Sequence, residues 1–216
     1  TNPIRKIAYQ TPEYSVENGV TLLETPEGPM PIEVFGAHNL NNLAGAKWIC
    51  QNMGVDEADF YEAIATFKGA SKRLEKIAET KTAVAYKDFA HSPSKVKATT
   101  EAVKAQYPNR KLVACLELHT YSSLNAEFLK EYEGALDAAD VAVVFYSPDA
   151  VKIKQLEEVT YEQISEAFNR KDLIIYTNPE EFKEFLKEHD LKESALLLMS
   201  SGNYGGLNFD EIQGLL

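Results

Sequence analysis

The pattern of apolar and polar positions changes part-way along the chain. The first part contains short aliphatic and aromatic runs separated by glycine and proline, which is typical of short strands joined by turns. Two amphipathic helices are predicted to follow, one around residues 43–50 and another that begins near Asp56. The strands predicted in this part are residues 5–9, 20–24 and 32–35.

The second part alternates near-continuous apolar runs with helical segments such as residues 94–106 and 179–189. Strands buried on both faces of a parallel sheet have this composition. Strands that alternate with helices predict right-handed crossovers and an α/β fold, in which an open, mostly parallel, Rossmann-like sheet carries helices on both faces. The predicted strands are residues 82–87, 111–116, 141–146, 173–176 and 195–199.

A charged segment, residues 70–80, separates the two parts and has little apolar periodicity. This composition predicts a linker or hinge. We therefore predict two domains, which cover residues 1–78 and residues 79–216.

Composition and charge exclude several classes of partner. The 216 residues carry a net charge of -11, from 22 basic and 33 acidic side chains, and this charge disfavours nucleic acid. No apolar run approaches the roughly 18 residues of a membrane span, so no membrane partner is predicted. The two cysteines, Cys50 and Cys115, lie in different elements and suit a reducing compartment. We expect a cytoplasmic protein.

Polar side chains follow the predicted parallel strands, at the sheet edge where open α/β folds bind ligands. Asp88 and His91 follow the first of these strands, and His119 follows the second. Helix capping explains a serine or threonine at such places, but it needs neither an aspartate nor two histidines, so function is favoured for these three. The glycine-rich loop 200–206 follows the last strand. It could direct N–H groups at an anion, although a plain tight turn explains it almost equally well.

A second polar cluster, residues 36–42 (GAHNLNN), precedes the first predicted helix. One asparagine could cap that helix, but three asparagines and a histidine exceed this need. An amide carries both a donor and an acceptor, as does the edge of adenine, so both interpretations stay open. The histidines and cysteines lack the paired spacing of a metal site, and we predict no metal ligand.

Three segments, in this order along the chain, resemble motifs of the Mur ligase family. Residues 36–46 resemble its G-x-H-N-x-x-N-x-x-A-A motif, and residues 67–75 (FKGASKRLE) are similar to the F-x-G-x-x-R-R-x-E segment that ends its central ATPase domain. Residues 86–93 (YKDFAHSP) resemble the D-D-[YF]-[GA]-H-H-P motif that opens its C-terminal domain. The resemblance implies that residues 1–78 are a small strand-and-helix remnant of the ATP-binding domain. Residues 79–216 would then be the whole peptide- or amino-acid-binding domain.

The resemblance also implies an activity, the ATP- and Mg²⁺-dependent formation of an amide bond through an acyl phosphate in cell-wall synthesis. The run 199–206 favours the branch that joins the tripeptide L-Ala-γ-D-Glu-meso-diaminopimelate to UDP-N-acetylmuramate during peptidoglycan recycling. The alternative branch joins L-alanine to the same nucleotide sugar. Its P-H-R-Y-S-R pattern corresponds to residues 118–123 here, which lack both arginines. An alternative of another class is a non-catalytic α/β binding module.

The family's motifs assign roles to individual side chains, with two departures: Lys87 stands for the first Asp of the D-D pair, and Ser92 stands for the second His. The residues implied to bind ATP are His38, Asn39, Asn42, Arg73 and Asp88. Those implied to lie toward the incoming peptide are His91, His119, Ser200, Gly202 and Asn203.

The family's P-loop, its Mg²⁺-binding side chains and its nucleotide-sugar domain lie upstream of a segment like this one. We therefore expect no catalytic residue in this fragment. We expect Mg²⁺ and most of the ATP to be bound by an upstream half of the same enzyme, which would be the fragment's partner. The fragment alone is expected to have no ligase activity.

Overall fold

The computed structural model describes residues 6–216, and the chain divides into two compact units, Thr1–Gly69 and Ala70–Leu216. This division falls before the predicted boundary at residue 78. The linker prediction for residues 70–80 is wrong, because Glu75–Glu79 form a strand, β4, at the edge of the large sheet. An edge strand has one side open to water, which accounts for its charged composition. Glu75 forms an ion pair with Lys87 of the neighbouring strand.

The first unit contains a three-stranded antiparallel sheet followed by two helices. Its core consists of side chains from β2, β3 and both helices, namely Leu23, Ile32, Leu40, Leu43 and Phe60. The elements are β1 Tyr14–Glu17, β2 Val20–Thr25, β3 Gly28–Ile32, α1 Ala37–Asn52 and α2 Glu57–Ala65.

Two of the predicted strands in this unit are misplaced, and one strand was missed. Residues 6–9 are not in a strand, and the remaining residue of the predicted strand 5–9 lies outside the described residues. The third strand is β3, Gly28–Ile32, rather than residues 32–35. The missed strand β1 pairs with β2 through a turn at Asn18 and Gly19, whose φ values of 51° and 78° are those of a tight hairpin.

The second unit is a six-stranded sheet with the strand order β4-β5-β9-β6-β7-β8. Only β4 pairs antiparallel with its neighbour, so the predicted α/β fold with a mostly parallel sheet is confirmed. The remaining strands are β5 Val84–Asp88, β6 Lys111–Glu117, β7 Val141–Phe145, β8 Ile174–Tyr176 and β9 Ser194–Met199. The helices that flank them are α3 Pro93–Gln106, α4 Ala126–Leu129, α5 Pro148–Ile153, α6 Tyr161–Ala167 and α7 Pro179–Glu188, with 3₁₀ turns at Lys130–Tyr132 and Phe209–Gly214.

The last strand, β9, is inserted between β5 and β6, and all of its residues are buried. One core cluster packs its Leu196 and Leu198 against Phe182 of α7 and Tyr204 of the following loop. The insertion brings together three strand ends that are far apart in sequence. Among residues 6–216, no helix is both long enough and apolar enough to span a lipid bilayer.

Candidate functional site

The candidate site lies at the carboxyl ends of β5, β9 and β6. The strand pairing places Met199 of β9 opposite Asp88 of β5 on one side and opposite Leu116 of β6 on the other. Glu117 follows Leu116, and Ser200 follows Met199. These two residues therefore come together at the centre of this edge. In open α/β sheets ligands bind outside the carboxyl ends of the strands, and in this chain polar side chains lie at that position.

Glu117 occupies the middle of the site, and the sequence did not single it out as a site residue. Its side chain is only 3% exposed. Its Oε2 accepts a hydrogen bond from the Ser200 hydroxyl and another from the Tyr204 N–H at 2.9 Å. Its Oε1 lies 3.6 Å from Nδ1 of His119. A buried carboxylate is costly unless such donors satisfy it, so this set of partners is what permits the charge to be buried.

The loop 200–206 folds around that carboxylate. The Gly202 N–H donates to Ser200 Oγ at 2.6 Å, and a Cβ on Gly202 would lie 2.8 Å from Glu117 Oε2. Only glycine fits there without displacing the carboxylate. Asn203 is exposed, and its side chain accepts from the Gly206 N–H at 3.2 Å. Loop N–H groups donate hydrogen bonds within the protein, including one to Glu117. The geometry therefore favours a tight turn over a binding site for an external anion.

Asp88 accepts hydrogen bonds from backbone N–H groups around the end of β5. Its Oδ2 accepts from the Leu74 N–H at 2.7 Å and its Oδ1 from the Ala90 N–H at 2.6 Å. Its carbonyl oxygen accepts from the Ser200 N–H at 2.9 Å. The Asp88 side chain is buried, and its carboxylate stabilises the local backbone through these hydrogen bonds. The ribose contact implied by the resemblance stays a prediction.

Arg73 and His91 both contact the ring of Phe89, next to the first strand end. The Arg73 guanidinium lies 5.8 Å from the ring centroid, and the His91 ring lies edge-on to it at 5.1 Å. His91 also places Nδ1 2.8 Å from the Phe89 carbonyl, and its own carbonyl accepts from the Tyr132 hydroxyl. The structure thus groups Arg73 and His91 around one ring, and Glu117, His119, Ser200 and Gly202 around one carboxylate.

The three remaining predicted residues lie on the first turns of α1 in the first unit. The helix begins after Gly36, which has no side chain to cap it, so no asparagine is the N-cap residue. Asn39 donates from Nδ2 to the Phe35 carbonyl at 3.0 Å. His38 is half-buried and Asn42 is exposed. The residues predicted to bind ATP are therefore divided between the two units.

Metal and thiol chemistry find little support within the described range. Residues 6–216 contain no group of three or more His, Cys, Asp or Glu side chains that could hold a metal ion. Cys115 is fully buried in β6, and burial raises the pKa of its thiol, which opposes formation of a thiolate. Cys50, in α1 of the first unit, is half-buried.

Comparison with known proteins identifies the domain that carries this site. The family profile described as "Mur ligase, glutamate ligase domain" matches residues 72–202, which is more than half of the chain. A relative from Microcystis aeruginosa, named UDP-N-acetylmuramate–L-alanine ligase, is 32% identical over 183 residues, which cover 82% of this chain and 37% of the relative. The chain spans well under half the length of the curated relatives that it matches.

Solved structures share the fold at lower sequence identity. The UDP-N-acetylmuramate–alanine ligase of Thermotoga maritima superposes with a TM-score of 0.66 at 18% identity, over 89% of this chain and 42% of that one. A murein peptide ligase of Psychrobacter arcticus superposes with a TM-score of 0.55 at 19% identity, over 91% of this chain and 39% of that one. These structures show that the fold is shared, while the domain match over residues 72–202 and the relative that is 32% identical show that the chain belongs to the Mur ligase family.

Proposed function

We propose that this chain supplies the acceptor-binding part of an ATP-dependent ligase that joins L-alanine to UDP-N-acetylmuramate. The observation that carries the proposal is the domain match over residues 72–202, together with curated relatives that are named UDP-N-acetylmuramate–L-alanine ligase. The polar edge around Glu117 supports it, since this edge lies where the fold class places its ligands.

The proposed reaction has two steps. The carboxylate of the nucleotide sugar attacks the γ-phosphorus of ATP, which gives an acyl phosphate and ADP. The amine nitrogen of the acceptor then forms a bond to the acyl carbon, the bond from that carbon to the phosphate oxygen breaks, and the amine loses a proton. Catalysis of such transfers consists mainly of positioning and charge stabilisation.

The two units would contribute differently to these steps. The amides of Asn39 and Asn42 offer the donor and acceptor that an adenine edge requires. The strand ends that carry His119 and Ser200 would hold the acceptor amine. Residues 6–216 contain no group of three or more His, Cys, Asp or Glu side chains that could hold a metal ion, and the proposal assigns no Mg²⁺ ligand among them. When bound by the rest of the full enzyme, Mg²⁺ would supply positive charge to the ATP phosphates.

A second candidate acceptor is the tripeptide L-Ala-γ-D-Glu-meso-diaminopimelate, as the branch assignment from the sequence predicted. Two features favour it, namely the absence of arginine from residues 118–123 and the run 199–206. The curated relatives favour L-alanine, and we rank the tripeptide second for this reason.

The decisive experiment assays the full encoded polypeptide with UDP-N-acetylmuramate, ATP and Mg²⁺, and offers L-alanine and the tripeptide in parallel. Release of phosphate and the mass of the product report amide formation. We expect kcat/KM for L-alanine to exceed that for the tripeptide, and the reverse order would assign the second candidate. We expect no turnover from residues 1–216 alone, so turnover by this chain would contradict the assignment of the phosphate site to other residues.

The role of Asp88 is tested by Asp88→Asn in the same full polypeptide. The amide keeps one acceptor oxygen and loses the charge, so one buried N–H loses its partner and the free energy of unfolding should fall by about 1.5–3 kcal/mol. If Asp88 also contacts the ribose, the KM for ATP rises. An unchanged KM for ATP, measured well below the unfolding temperature, would remove Asp88 from the nucleotide site.

A further inference from the structure

Glu117 is a buried ionisable group to which the proposed reaction gives no role. It ends β6, the strand that pairs with both β9 and β7, and the neighbouring strand residues are apolar. A leucine or valine would complete this strand at a lower desolvation cost. The carboxylate therefore calls for an explanation beyond packing.

The two oxygens of Glu117 have different surroundings. Oε2 accepts from Ser200 and Tyr204, so it fixes both ends of the turn 200–204. Oε1 faces Nδ1 of His119 at 3.6 Å. One side chain thus connects the loop after β9 to the loop after β6.

The carboxylate itself is closed to a ligand. Gly202 covers it so closely that an added Cβ would lie 2.8 Å from Oε2 and 3.1 Å from Oε1. The His119 side chain, by contrast, is 41% exposed. A substrate at this edge would therefore meet the imidazole and the loop, while the carboxylate acts from behind them.

A carboxylate beside Nδ1 has a defined effect on an imidazole. The negative charge favours the neutral tautomer that carries its hydrogen on Nδ1, and this leaves the lone pair on Nε2. At 3.6 Å the contact is electrostatic rather than a hydrogen bond, so it acts on the tautomer through charge. The exposed face of His119 then offers an acceptor, which is the group that an amine donor requires.

We propose that Glu117 is a positioning residue for the acceptor-amine site. It holds His119 as the Nδ1–H tautomer and fixes the turn 200–204, so that Nε2 of His119 accepts a hydrogen bond from the incoming amine. This inference rests on the proposed function for the identity of the ligand. The tautomer of His119 does not depend on that function.

The first test measures the tautomer directly in this chain, with ¹⁵N chemical shifts of the imidazole nitrogens at a pH where the ring is neutral. The expected pattern for His119 is a protonated Nδ1 and a bare Nε2. Glu117→Gln should shift the population toward Nε2–H, because the amide keeps the shape but removes the charge. Glu101→Gln, at an exposed position on α3, is the matched control and should leave the pattern unchanged. An Nε2–H tautomer in the unsubstituted chain would overturn the inference.

The second test uses steady-state kinetics of the full encoded polypeptide. Glu117→Gln should raise the KM for the amine by about tenfold or more, the scale of one charge-assisted contact, with the KM values for ATP and UDP-N-acetylmuramate unchanged. His119→Asn should produce a similar rise, and the double variant should be no worse than His119→Asn alone, since Glu117 acts through the ring.

The outcomes separate the two proposals. Independent, multiplicative effects of the two substitutions would overturn the positioning role of Glu117. The same holds if Glu117→Gln leaves the KM for the amine unchanged while the variant keeps its thermal unfolding temperature. An unsubstituted full polypeptide that turns over neither L-alanine nor the tripeptide would instead overturn the proposed function, whatever the tautomer of His119.

Discussion

The two units of the chain bury their apolar side chains to very different extents. In the second unit, five of the six strands of the sheet run parallel, and the central strands β6 and β9 are buried almost throughout. The first unit has a small core, and most of the large exposed apolar side chains among residues 6–216 belong to it. They are Tyr9, Tyr14, Val20, Trp48, Ile49, Met53, Val55 and Phe67, against Tyr121, Ile153 and Tyr161 in the second unit.

From this difference we infer that the second unit is the more stable of the two. Small units bury a low fraction of their surface and are marginally stable, and exposed apolar area adds no stabilisation. The strand ends that form the candidate site around Glu117 all lie in the well-buried second unit. We infer that this sheet, rather than the whole chain, is the stable scaffold of the site.

The largest expected effect comes from separating the units. Residues 70–216 alone should keep a cooperative unfolding transition and dispersed amide signals, because their core is complete. Residues 1–69 alone should unfold at a much lower urea concentration, because the small core around Leu40 only marginally offsets the lost chain entropy. Circular dichroism and a proton–nitrogen correlation spectrum of each piece, beside the whole chain, provide the measurement. Equal unfolding midpoints for the two pieces would remove the contrast.

A matched pair of core substitutions sharpens the comparison within the intact chain. Phe182 is fully buried in the second unit, where its ring stacks on that of Tyr204 at a centroid distance of 4.9 Å, and Leu40 is fully buried in the first unit. Phe182→Ala should lower the free energy of unfolding by about 3–5 kcal/mol, and Leu40→Ala by about 2–5 kcal/mol. Each loss should appear only in the hydrogen exchange of its own unit.

Hydrogen exchange under increasing urea, resolved by residue, is the measurement for this pair. The whole chain serves as the reference, and the unaffected unit in each variant serves as an internal control. Equal losses of protection in both units after Leu40→Ala would show that the units unfold as one, and the proposed independence would then be wrong.

The contrast between the units also explains which elements the sequence predicted well. The parallel strands of the second unit were located within about two residues, because strands buried on both faces have an unmistakable apolar composition. Strand β4 was taken for a linker, since an edge strand such as Glu75–Glu79 tolerates charge. Strand β1 was missed although its turn contains Asn18-Gly19, a pair that favours hairpins.

The candidate site was predictable only in outline. The rule about strand ends favoured Asp88, His91 and His119, and it placed the loop that begins at Ser200 at the same edge of the sheet. Glu117 was not selected, although it directly follows the predicted strand 111–116, because nothing in the sequence distinguishes it from other polar residues at strand ends. Its importance comes from Ser200, which is 83 positions away, and this contact depends on the insertion of β9 between β5 and β6. Alternating strands and helices predict a parallel sheet but not the order of its strands.

The smallest effect that we expect concerns acid stability, and it should again be confined to one unit. Asp140 joins α3 to β6 in the second unit, because its Oδ2 accepts from Lys104 Nζ at 2.8 Å and from the Leu112 N–H at 2.7 Å. Burial raises the pKa of Asp140, but the hydrogen bonds from Lys104 and from the Leu112 N–H outweigh burial, so the pKa lies below its ordinary value of 3.8. A carboxyl group with a lowered pKa stabilises the fold above its ordinary value, and this stabilisation is lost as the pH falls through the lowered one.

Asp140→Asn should therefore lower the stability of the second unit near neutral pH and lose its effect in strong acid. The side chain is 43% exposed, so solvent screening limits the loss to about 1 kcal/mol or less. The measurement is urea unfolding at pH 7 and in steps below pH 4, with the hydrogen exchange of each unit as the readout of its stability. Asp137→Asn, at an exposed position of the same unit, is the control and should change little. If the Asp140→Asn deficit persisted unchanged in strong acid, the stabilisation would come from shape rather than charge. If the deficit appeared in the first unit as well, the two units could not be treated as separately stabilised.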